Sequence, residues 1–241
     1  MLITPQISVS RPEDELAARV AAVRARMAQA ACAAGRDVHS VTLLAVSKGH
    51  DLSRVRAALA LGLADFGENY LDEALPKIRA LEGSGVRWHF IGRLQANKTR
   101  PVATHFDWVH GVDRLRIGER LSAQRPFHAA ALNVCIQVHI ADDPAKGGVP
   151  PGELLPLLHA VAPLPRLRLR GLMCMLPHDI GAAEQRAAFA RLAALAREAR
   201  AAGLPLDTLS MGMSADFEAA ITEGATIVRI GTALFGDRMQ P

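Results

Sequence analysis

Lysine is rare in this chain, and one lysine occurs where a reactive amine could be used. Of 28 basic side chains only four are lysines, namely Lys48, Lys77, Lys98 and Lys146. Lys48 directly follows the apolar run VTLLAVS (41–47), so we expect it to project from the end of a buried strand. Partial desolvation favours the neutral amine, which is nucleophilic toward an aldehyde. The pattern fits a Schiff-base lysine, and it fits a surface lysine in a loop after the strand as well.

Two later segments combine small residues and hydroxyls in a way that could bind an anion. Ser210-Met-Gly-Met-Ser214 and Arg229-Ile-Gly-Thr232 each end a predicted strand and precede a short helical segment. Backbone N–H groups and the dipole at a helix start attract phosphate. Each hydroxyl taken alone is explained better as a helix cap. Taken as a pair at the last two strand ends, they indicate a phosphate site at least equally well.

Other polar residues in the strand pattern give weaker signals. Asn69 follows a predicted strand, so its side chain either caps the next helix or contacts a ligand. His89 lies in the middle of a strand, which favours a hydrogen-bonded core histidine over a catalytic one. The sequence has no His, Cys or carboxylate cluster with metal-ligand spacing, and it has neither GxGxxG nor GxxxxGK[ST]. We therefore expect no metal and neither a dinucleotide-binding nor a P-loop fold.

These residues belong to a regular alternation of short β-branched runs and longer Ala/Leu/Arg segments. The predicted strands are 41–47, 64–68, 86–92, 106–112, 132–140, 167–175, 206–212 and 225–231. Eight strands separated by helices predict an α/β protein, a single (β/α)8 TIM barrel over residues 1–241. An open doubly wound sheet is the alternative. A barrel places its functional site at the carboxyl ends of the strands, which is where the residues above occur.

Two helical segments show clear apolar faces. The first begins near Pro12, and its apolar face consists of Leu16, Val20, Val23 and Met27. The second covers about residues 182–202 and ends at Gly203. Its inward residues are Phe189, Leu192 and Leu195. The prolines between residues 150 and 165 flank one short helix and do not indicate a domain boundary.

Composition excludes several other classes of protein. A chain that is 50% hydrophobic and 22% charged is typical of a compact globular protein. No apolar run approaches the roughly 18 residues of a membrane span, and the first residues do not resemble a secretory signal. Cys32, Cys135 and Cys174 form no CxxC pair, so we expect a reduced, cytoplasmic protein. A net charge of +4 with only 4% aromatic residues gives little support for nucleic-acid binding.

Six blocks of the sequence carry a family resemblance. They are LLAVSKGH, DFGENYLDEALPKI, WHFIGRLQANK, RLRGLMCM, TLSMGMSADFEAAI and VRIGTALFG. In these blocks and their order, the chain resembles the pyridoxal phosphate (PLP) homeostasis proteins, which are single-domain barrels related to the N-terminal domain of alanine racemase. The resemblance extends over nearly the whole chain, and it is more specific than any single motif above.

The resemblance implies a cofactor, PLP, and a set of residues that hold it. The lysine of the AVSK block forms an aldimine with PLP, and this position is Lys48. The arginine of the VRIGT block faces the pyridine nitrogen, and this position is Arg229. The SMGMS and RIGT blocks hold the phosphate. The expected cofactor-binding residues are therefore Lys48, Asn69, Ser210, Met211, Ser214, Arg229, Gly231 and Thr232.

The chain departs from the family pattern at a few places. Gly49-His50 follows the lysine where many relatives have Thr-Lys or a similar pair, and Cys174 lies in a block that tolerates variation. Residues 142–148 resemble only loosely a loop that could take part in handing PLP to other proteins. None of these positions belongs to the implied aldimine or phosphate groups, so the expectation of PLP binding is unchanged.

The function implied by the resemblance is maintenance of the PLP pool with little or no catalysis. The expected partners are PLP and PLP-dependent apo-enzymes, and we expect a monomer. Arg229 beside the pyridine nitrogen would disfavour ring protonation and weaken the ring as an electron sink. Racemases with such a barrel add a second domain that supplies a tyrosine, whereas the only tyrosine here is Tyr70. The alternatives are a weak amino-acid racemase and a Schiff-base aldolase acting on a phosphosugar.

Overall fold

Eight parallel strands close into a barrel in the computed structural model, which describes residues 12–141, 147–177 and 179–237. The strands are β1 (Thr42–Val46), β2 (Asp65–Glu68), β3 (Arg87–Phe90), β4 (Trp108–Val112), β5 (Leu132–Gln137), β6 (Leu167–Met173), β7 (Thr208–Met213) and β8 (Ile227–Ile230). Each strand pairs in parallel with the next, and β8 pairs with β1 so that Leu44 lies beside Arg229. The predicted (β/α)8 barrel is therefore confirmed, and the open sheet is excluded.

Helices surround the barrel on the outside. They are α1 (Pro12–Ala33), α2 (Leu52–Ala60), α3 (Leu71–Ala80), α4 (Thr99–His105), α5 (Leu115–Gln124), α6 (Leu154–Val161), α7 (Ala182–Ala201), α8 (Phe217–Thr222) and α9 (Thr232–Phe235). The helix after β8 has only four residues, too few to cover the strands beneath it. The N-terminal helix α1 packs against both α8 and α2, and it thereby fills the eighth position of the ring.

The helix predictions from apolar periodicity agree with the packing. The predicted face of α1 is buried, with exposed fractions of 2–6% at Leu16, Val20, Val23 and Met27. In α7, Phe189 and Leu192 are buried, whereas Leu195 is only partly buried against the core. The chain leaves α7 through Gly203 in the left-handed region (φ 88°), as expected for a glycine after a helix. Burial of these faces supplies the apolar layer that holds helices to strands.

Several strands are shorter than the sequence predicts. The predicted strand 132–140 ends at Gln137, and only Val138 continues through a single bridge to Val149. The predicted strand 225–231 is paired only over Ile227–Ile230. At the carboxyl end of β5 the apolar pattern continues while the chain already turns into a loop of the barrel mouth, whereas β8 is shortened mainly at its amino end. Among the described residues, no helix is long and apolar enough to cross a membrane.

Candidate functional site

A cavity of about 300 Å³ opens at the carboxyl ends of the strands. This volume is within the range of small-molecule sites. Six of the eight residues expected to bind a cofactor line it, namely Lys48, Asn69, Ser214, Arg229, Gly231 and Thr232. Further lining comes from Val46, His50, Ile91, Met175, Pro177, Gln185, Met213, Ala215, Asp216 and Gly236. The closure of β8 onto β1 brings residues from both ends of the sequence to one cavity.

The backbone on both sides of Lys48 is anchored, while its side chain is partly buried in the cavity. The Ser47 hydroxyl donates to Glu68 Oε1 at 2.6 Å, and the Ser47 carbonyl accepts a hydrogen bond from Lys77 Nζ at 2.9 Å. The Gly49 N–H donates to Glu73 Oε2 at 2.6 Å. These contacts fix the strand end from which Lys48 projects, so the direction of its side chain is set by the main chain.

A buried ion pair lies beneath Lys48. Lys77 Nζ is 2.7 Å from Glu68 Oε1, and the exposed fractions of the two side chains are 7% and 0%. Burial raises the pKa of Glu68, and the Lys77 ammonium and the Ser47 hydroxyl oppose that rise. Glu68 Oε2 has no hydrogen-bond partner among the residues that the structure describes. The ammonium of Lys77 is therefore committed to Glu68 and to the Ser47 carbonyl.

Sequence analysis gave no role to Glu68 or Lys77, although the helix pattern contains a signal. Lys77 follows Leu71 and Ala74 at intervals of three residues, and all three lie on the buried face of α3. A lysine on the apolar face of a helix needs a buried partner, because an unpaired charge in the core is strongly unfavourable. The glutamate at the end of the preceding strand supplies that partner.

Arg229 is a fixed positive charge in the wall of the cavity. Its residue is only 4% exposed, and its pKa is lowered by burial. Nη1 donates to the Ser210 carbonyl at 2.7 Å and to Ser210 Oγ at 2.9 Å, and Nη2 donates to the Cys174 carbonyl at 2.8 Å. Within the described ranges no carboxylate is within ion-pair distance of this guanidinium. Its direct hydrogen-bond acceptors are neutral oxygens, while the carboxylate of Asp216, which also lines the cavity, acts on it only through its charge.

The loops after β7 and β8 are joined through Ser214. Its Oγ accepts hydrogen bonds from the N–H groups of Gly231 and Ala233, each at 3.3 Å. The alternative in which Ser214 caps the following helix is wrong, because α8 begins at Phe217 and is preceded by Asp216. Both acceptor sites of the Ser214 hydroxyl are used, so its hydrogen remains available for donation to an anion. Thr232 begins α9 beside it and also lines the cavity.

Ser210 and Met211 lie outside the lining of the cavity. Ser210 is fully buried and bonds to Arg229 and His110, while Met211 is fully buried in the apolar layer shared with the helices. The pairing of β7 with β8 is irregular between Ser210 and Met213, and Gly212 has a φ of 89°. Across this irregularity Met213 lines the cavity, whereas Met211, two residues earlier, does not.

Asn69 offers an acceptor to a ligand. Helix α3 begins after Tyr70 with no side-chain cap, so the cap expected as one alternative for Asn69 is not formed. Asn69 Oδ1 is buried and has no partner among the described residues. The loop after β3 approaches the Asn69 backbone so closely that a Cβ on Gly92 would clash with the Asn69 carbonyl oxygen. This contact holds Asn69 at the cavity wall with an unsatisfied oxygen.

His50 lines the cavity and was not among the expected site residues. Its ring packs on Phe235 with centroids 5.0 Å apart, so the short helix α9 supports it. By contrast, His89 is 1% exposed and hydrogen-bonded inside the barrel, which confirms its prediction as a core histidine. The segment 142–148, which resembles the family pattern only loosely, is described only from Gly147, because residues 142–146 lie outside the described residues.

Replacement of Lys77 by methionine tests the ion pair beneath the site. We expect Lys77→Met to lower the free energy of unfolding by about 3–5 kcal/mol, because it leaves Glu68 charged and buried without its partner. Lys98→Met removes an exposed lysine and is the matched control, with an expected change within about 0.5 kcal/mol. Urea unfolding measures both.

The pH dependence of the deficit in the free energy of unfolding of Lys77→Met gives a second check. Without the ammonium that opposes it, burial raises the pKa of Glu68 further above its value in the unfolded chain. A carboxyl with a raised folded pKa is destabilising when ionised, so the deficit is largest at high pH. It should shrink as the pH falls through the folded pKa. A deficit independent of pH would contradict the assignment to Glu68.

Comparison with known proteins agrees with this geometry. Residues 15–239 match the family model of the alanine racemase N-terminal domain. The pyridoxal phosphate homeostasis protein of Pseudomonas aeruginosa is 56% identical over 223 residues, which is 92% of this chain and 96% of that protein. The protein of the same name from Escherichia coli is 48% identical over 229 residues, covering 93% and 97%.

A solved relative has the same fold. The structure of PipY from Synechococcus elongatus with PLP bound superposes with a TM-score of 0.81 at 38% identity, covering 92% of this chain and 100% of that chain. Both the family model and the curated relatives extend over nearly the whole sequence, in agreement with the barrel and its cavity. This chain belongs to the pyridoxal phosphate homeostasis proteins, a family built on the alanine racemase N-terminal domain.

Proposed function

We propose that this protein binds pyridoxal 5′-phosphate as an aldimine on Lys48 and maintains the supply of that cofactor without efficient catalysis. The observation that carries the proposal is that three kinds of group line one cavity of about 300 Å³. They are the Lys48 amine, the buried Arg229 guanidinium, and the hydroxyls of Ser214 and Thr232. The names of the Pseudomonas and Escherichia relatives, and the PLP bound to PipY, support the same ligand.

The residues of the cavity fit the chemical groups of PLP. The amine of Lys48 suits the aldehyde, and the hydroxyls of Ser214 and Thr232 with the backbone of Gly231 suit the phosphate. Arg229 suits the ring nitrogen as a donor that stays protonated. The buried Asn69 Oδ1 is an acceptor that still lacks a partner. When bound, PLP supplies an aldehyde carbon and an electron-accepting ring.

Two features of the described residues support binding without efficient turnover. The positive charge of Arg229 disfavours protonation of a neighbouring ring nitrogen, and an unprotonated ring stabilises a carbanion poorly. Racemisation also needs an acid–base group on each face of the substrate. Tyr70 is 58% exposed and does not line the cavity, so no tyrosine serves as the second group. Lys48 supplies one such group at most.

The location of the cofactor bond is tested by trapping. Borohydride reduction of the PLP complex followed by peptide mapping should place the pyridoxyl group on Lys48, and Lys48→Ala should remove the visible absorption band while the protein stays folded. The band should persist in Lys98→Ala, the control at an exposed lysine. A pyridoxyl group on Lys77, Lys98 or Lys146 would overturn the assignment.

The phosphate site is tested by comparing PLP with pyridoxal. Ser214→Ala combined with Thr232→Ala should weaken PLP binding at least about tenfold, because each hydrogen bond to a charged group contributes roughly 1.5–3 kcal/mol. Binding of pyridoxal, which lacks the phosphate, should change much less. The matched control is Ser53→Ala with Thr104→Ala on the exterior. Equal losses for the two ligands would show that the phosphate binds elsewhere.

The absence of efficient turnover is tested by isotope exchange. Solvent deuterium incorporation at Cα of L- and D-alanine should be slower than with alanine racemase by about 10²–10⁴, the factor associated with loss of one acid–base group. The two proteins are measured side by side at saturating PLP. Exchange within about tenfold of the racemase rate would make this protein a true racemase and would end the proposal of a non-catalytic role.

A further inference from the structure

A continuous hydrogen-bonded chain of side chains runs through the inside of the barrel below the cavity. Arg229 Nη1 donates to Ser210 Oγ at 2.9 Å, and Ser210 Oγ is 2.7 Å from His110 Nδ1. His110 Nε2 is 3.0 Å from His89 Nδ1, and His89 Nε2 is 3.1 Å from Asp65 Oδ1. We call these four residues below Arg229, namely Ser210, His110, His89 and Asp65, the polar column. It extends from the cavity wall to the opposite end of the barrel.

Three of the four residues of the polar column are excluded from water, and Asp65 at its far end is 7% exposed. Ser210, His110 and His89 have exposed fractions of 0–1%. The indole of Trp108 lies parallel to the His89 ring with centroids 5.4 Å apart. The barrel interior otherwise contains an apolar cluster made of Leu44, Val46, Ile91 and Ile227. In such surroundings a polar group without a partner is strongly unfavourable, so every hydrogen in the column must point to an acceptor.

The two ends of the column are chemically unambiguous. Arg229 carries only donors. Asp65 is held by Arg87 through two hydrogen bonds as well as by His89. Burial acts to raise the pKa of Asp65, but the hydrogen bonds from His89 and Arg87 outweigh it, and the pKa lies below its ordinary value. Asp65 is therefore an ionised acceptor at neutral pH.

The middle of the column then has a single arrangement of hydrogens if both histidines are neutral. Burial lowers the pKa of both rings, and for His110 the nearby His89 and Arg229 lower it further. With Nε2–H of His89 directed to Asp65, its Nδ1 is an acceptor for Nε2–H of His110. His110 Nδ1 is then an acceptor for the Ser210 hydroxyl. The Ser210 oxygen is left as an acceptor directed at Arg229.

We propose that Asp65, His89, His110 and Ser210 are positioning residues that orient Arg229 through a hydrogen-bonded column of one direction, with both histidines protonated on Nε2. The column fixes the Ser210 hydroxyl as an acceptor, which with the carbonyls of Ser210 and Cys174 fixes the plane of the guanidinium. That this plane faces the ligand ring depends on the proposed function. The direction of the column does not, because it follows from the protein alone.

An added proton would reverse the column. If His89 became an imidazolium, its Nδ1–H would donate to His110 Nε2, and the His110 hydrogen would move to Nδ1. Ser210 Oγ would then face two donors, from His110 and Arg229, and its own hydrogen would have no acceptor within the column. Reversal is therefore unfavourable for two reasons: the buried imidazolium is desolvated, and the Ser210 hydroxyl loses its hydrogen-bond acceptor. Arg229 keeps its proton, so the column orients a charge and does not conduct protons to the cavity.

The tautomers of the two histidines test the proposal in the unmodified protein without PLP. Nitrogen-15 NMR of the ring nitrogens should show protonated Nε2 and unprotonated Nδ1 for both His89 and His110 at neutral pH. Exposed His105 is the internal control for the assignment of the ring nitrogens. A protonated Nδ1 on either buried histidine would overturn the proposed direction.

The positioning role is tested by the exchange of the Arg229 guanidinium hydrogens, again without PLP. Ser210→Ala should accelerate that exchange about tenfold or more, the factor that corresponds to one hydrogen bond to a charged group. His110→Phe leaves that hydrogen bond in place but no longer orients the Ser210 hydroxyl, so it should accelerate the exchange by a smaller factor. Ser53→Ala and His105→Phe are the matched surface controls. The tautomer measurement remains decisive should His110→Phe fail to fold.

Unchanged exchange in a folded Ser210→Ala protein would show that the carbonyls of Ser210 and Cys174 suffice, and it would overturn the positioning role. Both measurements are independent of PLP. Failure of the protein to bind PLP would contradict the proposed function alone, while failure of the tautomers or of the exchange effect would contradict the column alone.

Discussion

The pairing of β8 with β1 is the constraint on which the rest of the molecule depends. It places Leu44 beside Arg229 and thereby brings the segment that ends in Lys48 next to the segment that ends in Thr232. Without closure, the Lys48 amine near the start of the chain and the hydroxyls of Ser214 and Thr232 near its end would lie on opposite edges of an open sheet. Closure also creates a buried interior, in which a polar group without a partner is unfavourable. Both the cavity and the chemistry beneath it follow from this one contact between strands.

Two buried charges with different partners result from that interior. Lys77 is neutralised by Glu68 and bonded to the strand end that carries Lys48, so its charge serves the structure. Arg229 is held by neutral oxygens and keeps a charge that a ligand can use. Both side chains are buried cations, but that of Lys77 is paired with a carboxylate and that of Arg229 is hydrogen-bonded to neutral oxygens. The difference is set by whether a carboxylate lies within reach.

The backbone of the site is consequently held by hydrogen bonds, while some of its side chains can still form hydrogen bonds to a ligand. Hydrogen bonds fix the positions of Ser47, Gly49 and Ser214. Asn69 Oδ1 can still accept a hydrogen bond, and the Ser214 hydroxyl can still donate one. Preorganised donors of this kind bind an anion with little reorganisation. The cavity combines the Lys48 amine, the Arg229 guanidinium and the hydroxyls of Ser214 and Thr232, which are the groups that the proposed function uses.

The sequence by itself determined the number and order of strands, the apolar faces of α1 and α7, and the blocks at the strand ends. These features depend on local periodicity and on motifs, which can be identified from the sequence alone. It also identified Lys48 as the distinctive lysine, through its place after a buried strand. The expectation for His89 was correct for the same reason, since a histidine in the middle of an apolar strand is buried.

Only the tertiary structure decided which side chains share an environment. Met211 and Met213 would face the same side of a regular strand, but β7 is irregular around Gly212, so Met213 lines the cavity while Met211 packs in the core. The sequence pattern does not reveal this irregularity. Ser214 bonds to the start of α9, and α1 completes the helical ring, because closure joins the two ends of the chain. His110 and Ser210 are 100 residues apart, and their contact exists because opposite sides of a closed barrel face one narrow interior. Long-range partners of buried polar groups are fixed by that geometry and not by the local sequence.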